Sequence, residues 1–293
     1  TTCIRPLLPT APGYCVDAPS AGSGKTILAK CACEIADDMP ALMPDSGDNN
    51  EIRKALLSLL RENRRVIVLD NVVATFDSPA LCAMLTAEYY SDRILGVSQT
   101  SRPPTRTLFM MTGNNVTLRG DICRRVLTCR IDTKTAEPWK RSFELDPVMH
   151  CRDNRLPMIA AALTIIRAGM QKGPSMPDRT ASFELWSDTV RRAVCHVRDV
   201  VECLGVSDPV EAIDGAYKSD PETQKLSALC AAWWAKFEDM PKKVSEVIKE
   251  GSEYPELNAS LDEIAGERGK VNTRRLGRWI KKNRGKIVTF KIM

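Results

Sequence analysis

The chain lacks any hydrophobic run near the ~18 residues that cross a membrane, and it lacks internal repeats and low-complexity tracts. It begins Thr-Thr-Cys, without Met or a signal-like stretch. We therefore expect a mature fragment or excised domain of a longer protein, located in the cytoplasm and without a membrane partner. A length of 293 residues suggests roughly two domains.

Paired cysteine motifs are also missing, although the chain has eleven cysteines. No C-x-x-C pair occurs, and each of the two histidines adjoins a cysteine, as His150-Cys151 and Cys195-His196. A zinc site built from those two pairs is one alternative. We favour buried, reduced thiols in a reducing compartment, because adjacent side chains diverge on any regular element.

What the chain does contain is a phosphate-binding pattern, Ala-Pro-Ser-Ala-Gly-Ser-Gly-Lys-Thr, at residues 18–26. A short β-prone stretch precedes it, and a segment without Gly or Pro follows, so the pattern lies in a strand–loop–helix context. Backbone N–H groups there would face phosphate at the positive end of the helix. We expect ATP as the ligand, with Lys25 on the β/γ-phosphates and the Thr26 hydroxyl on Mg²⁺. The predicted loop contacts are Gly22, Ser23, Gly24, Lys25 and Thr26.

One position of this pattern departs from G-x-x-x-x-G-K-[ST], because Pro19 replaces the first glycine. That position mainly shapes the turn, whereas Gly22 and Gly24 stand where the backbone must approach phosphate. An ordinary Gly-rich strand-to-helix turn is the alternative interpretation.

A carboxylate follows a second predicted strand. Residues 66–69, Val-Ile-Val-Leu, are typical of a buried parallel strand and lead into Asp70-Asn71. At the carboxyl end of such a strand Asp70 is expected to hold Mg²⁺-bound water, and a helix-capping loop aspartate is the alternative. Asn71 stands where many ATPases have a glutamate; it can orient a water but cannot take its proton, which weakens the expectation of catalysis.

A third strand, at residues 107–112, ends in Gly113-Asn114-Asn115, and Arg124-Arg125 follow. The Asn114 amide can reach a γ-phosphate and its water. The two arginines lie too far along the chain to serve the same nucleotide easily, so we expect one of them to act as an arginine finger on a neighbouring subunit's nucleotide. A solvated or internally paired Arg-Arg step is the alternative.

Taken together, the order and spacing of these motifs over residues 14–170 resemble the AAA+ helicases of superfamily 3, especially helicase domains of phage and mobile-element primase–helicases. The resemblance implies an α/β AAA+ P-loop core with a parallel sheet flanked by helices. It also implies that Asp70 binds Mg²⁺, that Asn114 is sensor 1, and that Arg124 or Arg125 acts across a subunit interface of a hexamer. The hairpin before the sensor strand, residues 93–106, would grip DNA. It has no lysine, so Arg102 or Arg106 would do so.

The carboxyl end of the chain is strongly basic. From Gly266 onward ten basic residues stand against Glu267 alone, which is an electrostatic signature of nucleic-acid binding. We predict a helix that is capped by Ser260 and ends at Ala265, a turn, a basic helix capped by Asn272 or Thr273 and ending near Asn283, and a β-wing over residues 287–292. That order is a winged helix-turn-helix, and Leu276-Gly277 resembles the form that closes many phage primase–helicases. The predicted DNA contacts are Arg274, Arg275, Arg278, Lys281 and Lys282.

This basic helix carries no base-reading set of Asn, Gln and Arg, so we favour contacts to the DNA backbone. Docking of a basic tail on another protein is the alternative.

The sequence thus predicts three parts: a core at residues 1–135, a helical extension at 136–250 and a winged helix at 251–293. Two functions fit. One is a ring-forming, ATP-driven DNA helicase that acts on single-stranded or forked DNA. The other is a nucleotide-switched DNA-binding or loading ATPase with little or no unwinding, which Asn71 and the lysine-free hairpin favour. Translocation polarity and ring size cannot be read from the sequence.

Overall fold

The computed structural model describes residues 1–288, apart from the side chain of Ala74. The chain divides into two compact units, Thr1–Tyr217 and a second that begins at Lys218. This boundary falls inside the segment predicted as one helical extension, 136–250, and the three-part division stays a prediction. None of the helices in the described residues is both long and apolar enough to span a bilayer.

The first unit is an α/β structure around a five-stranded, all-parallel sheet. This confirms the predicted α/β class with a parallel sheet. The spatial order is β2-β3-β6-β1-β7, so β6 lies between β1 and β3. The strands are β1 (Gly13–Ala18), β2 (Ala41–Pro44), β3 (Val66–Phe76), β6 (Leu108–Leu118) and β7 (Val126–Arg130), with a separate antiparallel pair, β4 (Asp92–Arg93) and β5 (Thr100–Ser101).

The apolar run in β3 forms the centre of the core, since residues 66–69 are fully buried as predicted. The prediction that the strand ends at Asp70-Asn71 is wrong. The strand continues to Phe76 after a bulge between Leu69 and Val72, where Asn71 adopts a left-handed conformation with φ 62°. Strand β6 likewise continues beyond its predicted end, to Leu118, and pairs with this extension.

Helices flank the sheet. In α2, Ile52, Leu56 and Leu60 form a buried apolar stripe. Helix α3 begins after Ser78, whose Oγ accepts a hydrogen bond from the Leu81 N–H, and it ends at Thr86. The chain leaves the helix there because the backbones of residues 88 and 90 bond to those of 105 and 103. These helices are α1 (Lys25–Ala36), α2 (Asn49–Arg61) and α3 (Pro79–Thr86).

The remaining part of the first unit is helical. Helix α5 is its longest helix, and a π-helical turn at Ser187–Arg191 separates α6 from α7. Trp186 is buried in the core. The helices are α4 (Pro147–Asp153), α5 (Arg155–Lys172), α6 (Glu184–Trp186), α7 (Arg192–Val200) and α8 (Val210–Lys218), with short 3-10 helices at Thr2–Leu7, Gly120–Arg124, Pro138–Lys140 and Glu202–Leu204.

As far as residue 288, the second unit packs four helices and a short antiparallel pair of strands around its own apolar core. Helix α11 starts at Pro255, so Ser260 lies inside it and the predicted Ser260 cap is wrong; a proline at the first helical position sets the start instead. Asn272 caps α12, whose end at Asn283 is as predicted. The elements are α9 (Pro221–Phe237), α10 (Val244–Gly251), α11 (Pro255–Ala265), β8 (Gly266–Glu267), β9 (Lys270–Val271) and α12 (Thr273–Asn283).

The β8–β9 pair replaces the turn predicted between the last two helices. The wing predicted over residues 287–292 falls largely on 289–293, which lie outside the described residues.

Candidate functional site

The predicted phosphate loop connects the end of β1 to the start of α1. Gly22 and Gly24 have φ values of 72° and 98°, a region that only glycine adopts at little cost, and Gly24 is the N-cap of α1. The Ser23 hydroxyl donates to the Ser20 carbonyl over 2.6 Å and closes the turn. The two glycines retained from the motif are therefore the positions where the backbone requires glycine, while Pro19 occupies a position without that requirement.

Lys25 is buried at the first turn of α1. Its Nζ donates to the Ser20 carbonyl over 2.9 Å and to Asn114 Oδ1 over 2.8 Å. Burial lowers the pKa of Lys25 from its ordinary value, and the carboxylates of Asp17 and Asp70 oppose that shift. The ammonium is thus fixed in the loop, with neutral oxygens as its direct partners, in a position to accept an anion.

Thr26 and Asp70 come together from α1 and β3. The Thr26 hydroxyl donates to Asp70 Oδ1 over 3.1 Å, and Thr112 on β6 donates to the same oxygen. A hydroxyl and a carboxylate are oxygen donors of the kind that Mg²⁺ takes beside water and phosphate oxygens, so the pair fits this ion. The described residues contain no group of three or more His, Cys, Asp and Glu side chains that would enclose a metal by themselves.

Asn114 reaches Lys25 because β6 lies between the other two site strands. In the sheet Asn114 is opposite Ala18 of β1 on one side and Val73 of β3 on the other. The structure therefore brings Lys25, Thr26, Asp70 and Asn114 to one edge of the sheet. Asn71 is exposed at the bulge beside them, and its N–H donates to Thr112 Oγ1 over 3.3 Å.

A buried carboxylate below the loop was missed in the sequence. Asp17 on β1 forms an ion pair with Arg130 on β7 and accepts a hydrogen bond from the Val116 N–H over 2.9 Å. Arg130 also donates to Asn115 Oδ1 over 2.9 Å. Together they hold the ends of β1, β6 and β7 against one another. The sequence signal that could have revealed it is an aspartate in an apolar strand directly before the loop.

Arg124 and Arg125 lie at the opposite edge of the sheet. The Arg125 carbonyl accepts from the N–H of Gly13, the first residue of β1, whereas the loop follows Ala18; five strand steps of about 3.3 Å separate these ends by roughly 16 Å. Both arginines pair with Asp121, but the Arg124 side chain is 48% exposed and that of Arg125 only 12%. Neither arginine therefore serves the phosphate loop of its own chain, and Arg124 is the more accessible of the two.

A second arginine pair secures α1. Arg152 donates two hydrogen bonds to Glu34, and Arg155 forms an ion pair with Asp37 at the far end of the helix. Hydrogen bonding by Arg152 lowers the pKa of Glu34 from its ordinary value. The Arg155 side chain therefore acts at the end of α1 remote from the phosphate loop.

The predicted DNA-gripping hairpin exists as β4 and β5, but its arginines are not at the tip. The Arg102 guanidinium lies over the Tyr89 ring at 5.1 Å, and Arg106 donates to the Pro6 carbonyl over 2.9 Å. The tip instead exposes Leu95 and Val97, with 76% and 52% of their surfaces accessible. DNA contact by Arg102 and Arg106 stays a prediction, and the structure locates both residues at the base of the hairpin.

In the second unit the basic side chains of α12 point away from its core. Leu276 is fully buried and Trp279 packs against the same core, while the predicted DNA-contact residues are exposed. Within the described residues Lys282 makes a 3.8 Å contact with Glu222, and no ion pair involves the others. The exposed predicted contacts are Arg274, Arg275, Arg278, Lys281 and Lys282.

No protein-family model matches the chain, and no curated protein matches it in sequence. Among solved structures, the A-form apo structure of the C-terminal region of NrS-1 is similar at 13% sequence identity and a TM-score of 0.42. The similarity covers 86% of this chain and 52% of that one, so this chain spans about half the length of that structure.

Proposed function

We propose that this chain is an AAA+ ATPase that forms a ring and moves along DNA as a replicative helicase of a phage or mobile element. Two subunits would share each ATP site, so a monomer would not reach full turnover. The observation that carries the proposal is the meeting of Lys25, Thr26, Asp70 and Asn114 at one sheet edge. A lysine, a hydroxyl, a carboxylate and an amide from three adjacent elements are the groups that phosphoryl transfer uses for positioning and charge stabilisation.

Each group has a role in binding ATP. The N–H groups of residues 22–26 and the Lys25 ammonium would hold the β- and γ-phosphates, and Asn114 would orient the γ-phosphate and the attacking water. Thr26 and Asp70 would hold Mg²⁺, which supplies charge neutralisation between phosphate oxygens when bound.

We infer a ring because, in the part of the chain that the structure describes, no arginine bonds to the four site side chains, and a neighbouring subunit could supply one. Within the described residues Arg141 donates to the Ser23 carbonyl of the loop, but no arginine hydrogen-bonds to the side chain of Lys25, Thr26, Asp70 or Asn114. Arg124 is exposed at the opposite edge. In a head-to-tail ring the Arg124 edge of one subunit would face the phosphate loop of the next, and a hexamer is the assembly that the motif order implies.

DNA binding is supported by the exposed basic side chains of α12. These side chains lie on the face of α12 that points away from the core, where they could contact the phosphates of the DNA backbone. We interpret α10 to α12 with the β8–β9 pair as a winged-helix-type domain that holds DNA while the hairpins of the ring move along it.

A second function is favoured by one observation, the exposed Asn71 beside Asp70. An amide there cannot accept a proton from water, so the chain would bind ATP and assemble on DNA as a loading or switching factor with little hydrolysis.

ATP hydrolysis and strand displacement on forked DNA distinguish the two functions. The helicase predicts DNA-stimulated hydrolysis and unwinding by the wild type, both lost in Lys25→Ala and kept in Lys30→Ala, which removes an exposed lysine from the same helix. Binding of ATP and DNA by a wild type that neither hydrolyses nor unwinds would establish the switch in place of the motor.

A further inference from the structure

A cavity of about 900 Å³ opens beside the phosphate loop. Gly22, Ser23 and Gly24 form one end of it. Most other lining residues are apolar, and they come from the start of α1, from the residue after β7, from the segment that precedes α4 and from the first residue of α4. These apolar residues are Ile27, Leu28, Ile131, Phe143, Leu145 and Pro147.

The segment that supplies Phe143 is fastened directly to the loop. Trp139 packs so closely on Gly22 that a Cβ added there would come within 2.9 Å of the Trp139 Cβ. Arg141 donates to the Ser23 carbonyl over 3.2 Å, and its guanidinium lies 5.1 Å from the centre of the Phe143 ring. The aromatic ring therefore has a defined position relative to the loop.

Large apolar side chains here are exposed to an unusual degree. Phe143 and Leu145 are 68% and 56% exposed, and Ile27 and Leu28 on α1 are 43% and 45% exposed. A flat apolar ligand placed among them would remove much of this surface from water. The polar loop at one end and the apolar residues at the other match a molecule with phosphates at one end and a planar ring at the other.

We infer that this cavity takes the base of the nucleotide, and that it holds a purine by its faces and not by its edges. This inference rests on the proposed phosphate site. Beyond the loop the polar lining side chains are those of Arg141, Ser142 and Glu144. Arg141 already donates to the Pro138 and Ser23 carbonyls, and the larger part of the lining is apolar, so adenine and guanine nucleotides bind within about tenfold of each other. Purines bind more tightly than pyrimidines because their larger faces stack over more apolar surface.

Equilibrium binding of ADP, GDP, CDP and tripolyphosphate to the full chain tests this inference. Phe143→Ala weakens ADP about tenfold, since stacking of one base contributes roughly that factor, and leaves tripolyphosphate within about twofold. Phe143→Trp retains ADP affinity because it keeps an aromatic face. Tyr217→Ala, which removes a half-exposed aromatic ring on α8, leaves every affinity unchanged.

The polar lining residues provide an internal control. Glu144 could bond to a base edge, so face recognition requires that Glu144→Ala, which removes that group, change ADP and GDP affinities by less than about twofold. ADP affinity unchanged in both Phe143→Ala and Leu28→Ala would overturn the inference, as would a GDP-to-ADP ratio beyond tenfold or CDP binding equal to that of ADP.

The same titrations distinguish a failure of the base cavity from a failure of the proposed phosphate site. If tripolyphosphate binds and Lys25→Ala abolishes that binding, the phosphate site stands whatever the Phe143 variants do. If wild type binds neither ADP nor tripolyphosphate, the phosphate site fails and the base cavity fails with it.

Discussion

At the phosphate-loop edge of the first unit, each charged side chain is held by partners from other elements, whereas the basic side chains of α12 extend into solvent. Lys25 is fixed by Ser20 and Asn114, and Asp70 by Thr26 and Thr112. Within the described residues, no hydrogen bond or ion pair engages the side chains of Arg274, Arg278 or Lys281.

This difference implies that charged side chains in the two regions would bind their ligands in different ways. Groups held in place need no reorganisation when a phosphate arrives, so a single substitution there should cost much of the activity. Mobile surface charges act through their summed field and through counterion release, so each should contribute a similar small amount.

Arg124→Ala should lower the turnover of the assembled protein by about 10³–10⁵, because an arginine finger supplies charge stabilisation of that size. Steady-state ATP hydrolysis measures it. Arg119→Ala is the matched control, since Arg119 is half-exposed just before the same 3-10 turn and its side chain pairs with Asp77 at the long distance of 4.0 Å.

Mixing experiments then test whether Arg124 acts between subunits. Arg124→Ala and Lys25→Ala subunits, each inactive alone, should regain partial hydrolysis when combined, because some interfaces receive an intact loop and an intact arginine. Full turnover by Arg124→Ala alone, or by a strictly monomeric wild type, would contradict the shared site.

Asp70→Asn should lower turnover by about 10²–10³ at saturating Mg²⁺ and ATP. Asparagine can still accept from Thr26 and Thr112, so the substitution removes charge while the geometry is kept. Asp77→Asn, at the residue following β3, is the control and should retain full activity. Equal losses in both variants would indicate a structural effect and not a charge effect.

Replacement of two glycines by alanine should change the free energy of unfolding in opposite directions. A Cβ on Gly113 would overlap the Val72 carbonyl oxygen and a Val116 methyl group, so Gly113→Ala should lower the free energy of unfolding by about 3 kcal/mol and weaken nucleotide binding through Asn114. A Cβ on Gly277, inside α12, meets nothing within 4 Å, so Gly277→Ala should raise the free energy of unfolding by about 0.5–1 kcal/mol.

Denaturant titration of both variants, with fluorescence and circular dichroism followed together, measures the two changes. If Gly113→Ala leaves the free energy of unfolding unchanged, β3 and β6 can separate without a loss of stability. The phosphate edge would then be less tightly fixed than its contacts indicate.

Much of the phosphate edge could be predicted because its signals are local. The loop, the apolar run ending in Asp70 and the strand leading to Asn114 each occupy a few adjacent residues, and parallel strands bring their carboxyl ends to one edge. The cap by Asn272 is equally local, since it depends on a side chain and an N–H three residues apart.

What could not be predicted depends on pairing between distant segments. The extension of β3 beyond Asn71 requires a bulge and a matching extension of β6, and the Asp17–Arg130 pair joins residues 113 positions apart. The base of the β4–β5 hairpin likewise draws Arg102 to Tyr89 and Arg106 to Pro6, which no periodicity in the chain indicates.

The smallest effect is expected at α12. Arg278→Ala combined with Lys281→Ala should reduce the slope of log affinity for duplex DNA against log salt by about 1.8, because each phosphate contact contributes about 0.9. The matched control is Lys243→Ala with Lys249→Ala, which removes two exposed lysines of the same unit outside α12 and should leave the slope unchanged. If both pairs flatten the slope equally, the second unit binds through its overall charge. If neither does, the basic helix docks on another protein, and the contrast with the phosphate edge is then one between a nucleotide site and a protein-binding surface.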